Sequence, residues 1–259
     1  MIGITEAGDP SICLEWVDKI NTVDGIILIT KSPGSFINSS LEDEIEKIKN
    51  RLIIHCTITG YGKTVLEPNV SPYNISVMMM VELIKRGYNV VLRIDPIVPT
   101  VKGFERMKAV IAYTKSLLGT LKDLRIKWSI IDNYKHLKDR GITLPWSSFN
   151  CPSESSDETL WVGSNKIIAY FNHLQEIEGC IIETCAESYN NIPQHWKVGC
   201  VSTTDLAIMK LPILEEYGKS NQRKACNCIN EKIELLDKKE QCAYECKYCY
   251  WKTAHNKDI

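Results

Sequence analysis

The chain has 259 residues, 31 basic against 32 acidic side chains, and 11 cysteines. Its 44% hydrophobic and 24% charged residues are ordinary for a globular protein, which excludes disorder, collagen and coiled coil. No apolar run nears the roughly 20 residues that span a bilayer, and Met1 to Gly8 lacks a basic-then-apolar leader, so a soluble, cytoplasmic protein with no membrane partner is expected. A net charge of −1 means that any nucleic-acid partner must be held by a local basic patch.

Short β-branched runs alternate with helical patterns, as in βα units around a parallel sheet. Strands are expected near 25–30, 52–58, 89–94, 126–131, 179–184 and 197–201. A capping box, Ser39 with Glu42, precedes a helical face of Leu41, Ile45 and Ile48. The 74–86 segment presents Ile75, Met78, Met79 and Glu82 and stops at Gly87, a residue suited to a left-handed cap. Met107, Val110, Ile111, Thr114 and Leu118 repeat the helical spacing, as do Ile167, Ile168, Phe171 and Leu174. The 143–163 stretch has no period and is rich in Ser and Pro, so it reads as a long loop or lid. A last helix follows Thr204, with Pro212 placed to kink it. Six strands in this order, without a visible chain reversal, favour a barrel or part-barrel in one domain. Residues 1–218 would form it, and 219–259 would be a cysteine-rich extension of the same core.

In such folds the chemistry sits at the C-terminal ends of the strands. The residues there are polar: Thr30-Lys31-Ser32, Thr59 with Glu67 and Asn69, Arg93 with Asp95, Asp132-Asn133-Tyr134, and Glu183 through Glu187. Polarity is common to βα loops, but joint placement at one rim marks a candidate site. Arg93 suits a carboxylate or phosphate, because its planar fork matches both. An internal Arg93–Asp95 ion pair is the plain alternative. Arg93, Asp95 and Glu187 are the candidate catalytic residues. The five histidines, His55, His136, His173, His195 and His255, form no metal-ligand spacing and read as structural or surface residues.

Eleven cysteines without an export signal do not suggest a disulfide framework. Cys13, Cys56, Cys151 and Cys180 are scattered, whereas Cys226, Cys228, Cys242, Cys246 and Cys249 fall within 24 residues. Cys242, Cys246 and Cys249 are spaced C-x3-C-x2-C, a loop able to wrap three corners of a cubane cluster and leave one iron open. A zinc ribbon would want two C-x2-C knuckles, and Cys226 and Cys228 are only C-x-C. A redox dithiol at Cys246 and Cys249 would be expected early, beside a βαβ unit.

The triad, with Tyr248 directly before its third cysteine, resembles that of radical S-adenosylmethionine enzymes. The resemblance implies a [4Fe–4S] cluster that holds S-adenosylmethionine, an electron donor such as flavodoxin or ferredoxin, and a 5′-deoxyadenosyl radical that takes hydrogen from the substrate. It also implies a (β/α)6 partial barrel. The triad normally follows the first strand, so its C-terminal place here implies a circular permutation, with 233–236 returning to pair with the N-terminal strands. Strand 25–30 would then be second, making Thr30 and Lys31 candidates for the methionyl amino group. Glu67 or Glu183 would meet the ammonium, Thr59 or Asn69 the ribose, and Tyr248 and Tyr250 the adenine.

Nearly the whole chain resembles the uncharacterised DUF1848 family. The matches include Ile29-Thr-Lys-Ser-Pro-Gly34, Glu67-Pro-Asn-Val70, Arg93-Ile-Asp-Pro-Ile97, Thr184-Cys-Ala-Glu187, Gly199-Cys200, Asn221-Gln-Arg223, Cys226-Asn-Cys228 and the triad through Tyr250. The family's Ser-Arg-Arg-Thr-Asp element is reduced here to Ile4-Thr-Glu-Ala-Gly-Asp-Pro10. Cys185, Cys200, Cys226 and Cys228 lie at family motif positions and would close a second site, a [4Fe–4S] cluster or a zinc, unless Cys185 and Cys200 are simply buried small hydrophobes. Asp95-Pro-Ile97 is similar to spore photoproduct lyases, radical enzymes of DNA repair. A nucleobase in DNA or a nucleotide is therefore one candidate substrate, and a small amino-acid-like metabolite another. Lys135, Lys138, Arg140, Lys224, Lys238, Lys239, Lys247 and Lys252 would serve a nucleic acid or form an ordinary solvated face. The rival class is a binding module whose iron–sulfur cluster or zinc is structural and which turns nothing over.

Overall fold

The computed structural model describes residues 1–144, 146, 151–155, 157, 159–213, 227–229, 232–237 and 242–249. Seven parallel strands form one sheet: β1 (Ile2–Ile4), β2 (Gly25–Thr30), β3 (Leu52–Thr57), β4 (Asn89–Ile97), β5 (Arg125–Ile130), β6 (Ile181–Thr184) and β7 (Lys232–Glu234). Their order is β6-β5-β4-β3-β2-β1-β7. The sheet advances without reversal from β1 to β6, and the chain then returns to place β7 on the free side of β1, with Ile2 opposite Lys232 and Ile4 opposite Glu234.

Five expected strands are found within about two or three residues, the usual uncertainty of strand ends. The sixth, 197–201, is not a strand. Lys197 makes only a single bridge to Thr184, and the chain then turns at Gly199. The strand expected at 233–236 is found one residue earlier, as β7. β1 has only three residues and a central glycine. A Cβ on Gly3 would lie 2.6 Å from a Leu235 methyl, so the glycine lets the segment after β7 pack against β1.

Period-two alternation sends Ile54, Leu92, Ile126 and Trp128 to one face. There they meet α1 (Glu15–Lys19), α2 (Ser40–Lys47), α3 (Tyr73–Lys85), α4 (Val101–Leu118) and α6 (Ser164–Glu178) through Trp16, Ile45, Met80, Val110 and Phe171. On the other face, Ile4, Ile27, Ile53 and Val91 pack against Val201, Ile229 and Leu206 of α7 (Thr203–Ile208). This inner face also carries His55, Arg93, Arg125, Lys127 and Glu183, the alternate positions of β3 to β6.

The faces expected of α4 and α6 are buried, apart from Leu118, which is only partly so. α3 differs: Val77, Met80, Val81 and Leu83 are buried, while Ile75 and Met78 stay about 45% and 42% exposed. This helix is apolar nearly all round, so its periodicity does not choose a face. Gly87 does adopt a left-handed φ of 81°. Ser39 makes no cap. Its hydroxyl donates to Ser35 O at 2.6 Å, and Glu42 accepts instead from the Asn38 amide at 2.6 Å. A capping box forms elsewhere, at Ser202 and Asp205 on α7, which ends before Pro212. The short α5 (Lys135–Asp139) follows β5. The described residues of 143–163 carry no helix or strand. No helix among the described residues is long and apolar enough to cross a membrane.

Glu234 ties β7 to the chain leaving β1, accepting from the Glu6 and Ala7 amides at 2.9 and 3.0 Å. Burial pushes its carboxyl up to about 7. The folded state thus keeps a proton that the unfolded chain releases near the ordinary value of 4.5. That contribution is complete below the unfolded pKa and is lost as pH rises through the folded one. Glu234→Gln, which keeps an acceptor, should therefore gain in unfolding free energy over the parent between about pH 5 and about pH 8. A pH-independent difference in urea titrations would contradict this.

Candidate functional site

The C-terminal ends of β1 to β5 and the 242–249 loop enclose a cavity of about 240 Å³. Cys242, Cys246 and Cys249 all line it and are its only cysteines among the described residues, so the three residues that the spacing singles out share one cavity. Burial pushes the Cys242 thiol up to about 11 and that of Cys246 up to about 12, although Lys31 draws Cys246 downwards. Among the described residues no three His, Cys, Asp or Glu side chains already stand as a set able to hold a metal ion.

The loop is clamped mainly through its backbone. Asn69 Nδ2 donates to Ala243 O at 2.8 Å, and the Lys247 amide donates to Leu66 O at 3.0 Å. Arg140, at the end of α5, donates to Lys247 O at 3.2 Å and Cys249 O at 2.8 Å. His136 lies 3.4 Å from Tyr248 O, its ring stacked on Tyr134. Tyr244 and Ser11 hydroxyls meet at 3.1 Å. Asn69, expected at a ribose, is thus a strut for the thiol loop, and Arg140 is not part of a solvated face. A hydrogen bond from a charged donor is worth about 1.5–3 kcal/mol. Arg140→Ala should leave the protein folded by circular dichroism yet lower the iron retained after anaerobic gel filtration; unchanged retention would remove Arg140 from the clamp.

Lys31, from the end of β2, donates to Glu67 Oε1 at 2.7 Å and to the Tyr248 hydroxyl at 2.8 Å, while Tyr248 also bonds Glu67. Burial favours a neutral Glu67, but Lys31 overrides it and holds the carboxyl below its ordinary value. Glu67 is 1% exposed and does not line the cavity. It stands behind Lys31 and Tyr248, which do. Thr59 also supports Glu67. Thr30 donates to Asp9 Oδ1 at 2.9 Å, and Asp9 accepts from the Lys31 amide at 2.6 Å.

Arg93 pairs with Asp95, whose other oxygen accepts from Ser129. The ion pair and the cavity placement are both real: Arg93 and Asp95 line the space, and Arg93 Nη1 has no hydrogen-bond partner among the described residues. Glu183 and Glu187 are elsewhere. Glu183 accepts from Arg125 at 2.9 and 3.0 Å and pairs with Lys127 at 3.2 Å, deep under the inner face. Glu187 accepts from the Ile130 amide at 2.7 Å, which fixes the end of β5. Neither lines the cavity, nor does any described residue of 143–163.

The wall also includes Glu6, Ala7, Gly8 and Asp9, which follow β1 and which the sequence reading did not place at the rim. The signal was their place after a strand, obscured because three residues with a central glycine hardly read as one. His55 is fully buried, and both its ring nitrogens lack partners among the described residues. A second cysteine group lies on the inner face. Cys185 and Cys200 sulfurs are 2.9 Å apart, and the Cys200 amide donates to Cys228 Sγ at 3.0 Å. Cys226, Tyr250, the Asn221–Arg223 match, Lys224, Lys238, Lys239, Lys252 and His255 lie outside the described residues.

The family model described as a domain of unknown function, DUF1848, matches residues 13–251. The chain belongs to the DUF1848 family. No curated protein and no solved structure matches it. The DUF1848 match takes in the triad, the Asn69 and Arg140 clamps, the Lys31–Glu67–Tyr248 group and the second cysteine group.

Proposed function

We propose that this DUF1848 protein is a radical S-adenosylmethionine enzyme whose partial (β/α) barrel is circularly permuted. The observation that supports the reading is that the three C-x3-C-x2-C cysteines, and no other cysteine among the described residues, line a cavity at the C-terminal strand ends. That donor set suits a cubane with one open iron. Bound there, a [4Fe–4S] cluster with S-adenosylmethionine supplies one-electron cleavage of a sulfonium and a carbon radical able to abstract hydrogen.

The permutation is supported by β7, which leads into the triad and pairs in parallel with β1. β1, not β2, then takes the second position, and Glu6 to Asp9 take the methionyl side that Thr30 and Lys31 were expected to serve. Lys31 places a positive charge beside Cys246 and the Tyr248 ring, which offsets the charge of a thiolate. Glu67 keeps that lysine charged and directed. Arg93, which lines the cavity, would give the substrate side a guanidinium for a carboxylate or phosphate, a group common to nucleotides and amino-acid-like metabolites.

Protein purified without oxygen, loaded with iron and sulfide and given dithionite or a reduced flavodoxin should convert S-adenosylmethionine to 5′-deoxyadenosine. A fully loaded protein that yields none would defeat the proposal and favour the binding-module reading.

A further inference from the structure

We infer that Cys185, Cys200 and Cys228, which do not stand ready-made as a ligand set, close around a second metal–thiolate centre on the inner face of the sheet, separate from the triad and independent of the radical reading. The three thiols come from distant points: the end of β6, the strap after it, and the segment before β7. The other described cysteines outside the triad, Cys13, Cys56, Cys151 and Cys180, are buried at other places in the chain.

Local structure converges on the sulfurs. Gly199 has a φ of 77°, and a Cβ there would lie 2.6 Å from the Cys228 nitrogen, so the glycine lets the two backbones touch. Asn227 Nδ2 donates to Lys197 O at 2.8 Å and the Ile229 amide to Val201 O at 3.1 Å, bracing the contact on both sides. The Cys200 amide donates to Cys228 Sγ, and Lys232 Nζ stands 3.8 Å from it. Arg93 and Lys127 lie close enough to interact with Cys200. Amide donors and cations of this kind favour thiolates. The same cations are also paired with Glu6, Asp95 and Glu183, so the pocket accepts added negative charge without being built around it.

The 2.9 Å sulfur contact has two chemical resolutions. A disulfide would close it to about 2.05 Å. A shared metal would open it, since bonds of about 2.3 Å set ligand sulfurs nearly 4 Å apart. A third sulfur, that of Cys228, which accepts from the Cys200 amide and stands 3.8 Å from the Lys232 ammonium, favours the metal. His55, buried among Lys127 and Arg93 with unpartnered nitrogens, marks polar capacity in the same interior.

The triple variant C242A/C246A/C249A, purified anaerobically, should retain metal: about four irons with sulfide for a cubane, or about one zinc. Adding C200A should remove it. A folded triple variant without metal, or one with a Cys185–Cys200 disulfide by mass spectrometry, would overturn the centre. Should the variants fail to fold, the unaltered holoprotein answers through alkylation. Cys185, Cys200 and Cys228 should be blocked together and become reactive together as a mercurial releases metal that the triad does not account for. Independent alkylation with no such release would equally overturn it.

Discussion

Cys246→Ala is expected to reduce 5′-deoxyadenosine formation to the level of a protein-free control and to cut iron at the triad site. Cys246 is the middle ligand of the trio, is buried, and faces both the cavity and Lys31. Two thiols cannot hold three irons of a cubane, so the loss should approach completeness rather than be graded. Lys31→Met separates chemistry from assembly. It removes the charge beside Cys246 and leaves Glu67 and Tyr248 to each other, so iron should load while turnover falls. Wild-type product formation by loaded Cys246→Ala would place the chemistry away from the triad.

Glu183→Ala should destabilise the fold by about 3–5 kcal/mol, the usual cost of stranding buried charge. Glu183 is 3% exposed and holds Arg125 at 6% and Lys127 at 1%. Arg125 would keep Asp205 at 2.8 Å, and Lys127 would keep Gly199 O at 2.8 Å. The strands β5 and β6 would nonetheless lose the carboxylate that joins them. Urea unfolding measures the effect. Lys127→Met in the same background should recover part of it, because the stranded ammonium is then gone. A Glu183→Ala protein within about 1 kcal/mol of the parent would show that the network is not a support.

β2 to β6 were legible because strands buried on both faces are long β-branched runs bounded by turn residues. β1 was not, being three residues around a glycine, and 197–201 misled because an apolar strap across the inner face has the same composition as a strand. The strand β7 beside β1 was expected from the triad's position, not from its own sequence. Among the candidate site residues, Cys242, Cys246, Cys249, Thr30, Lys31, Arg93, Asp95 and Tyr248 line one cavity, where the sequence reading had named the strand-end residues and the triad separately. Glu183 and Glu187 lie away from the cavity, which the sequence could not tell, because a carboxylate at a strand end looks the same there whether it faces an open space or a neighbouring guanidinium or amide. That His136 and Arg140 hold the triad loop was not legible for a related reason: their partners there are main-chain carbonyls, which carry no letter in a sequence.

The pairing of β7 with β1 joins residues some 230 positions apart. During synthesis β1 emerges first and waits with one hydrogen-bonding side uncovered, a surface prone to pair with strands of other chains. Only when the segment bearing the triad has left the ribosome can that side be sealed and the three thiols reach their wall. A nascent chain stalled before β7 has formed would therefore leave that strand side open and adhesive.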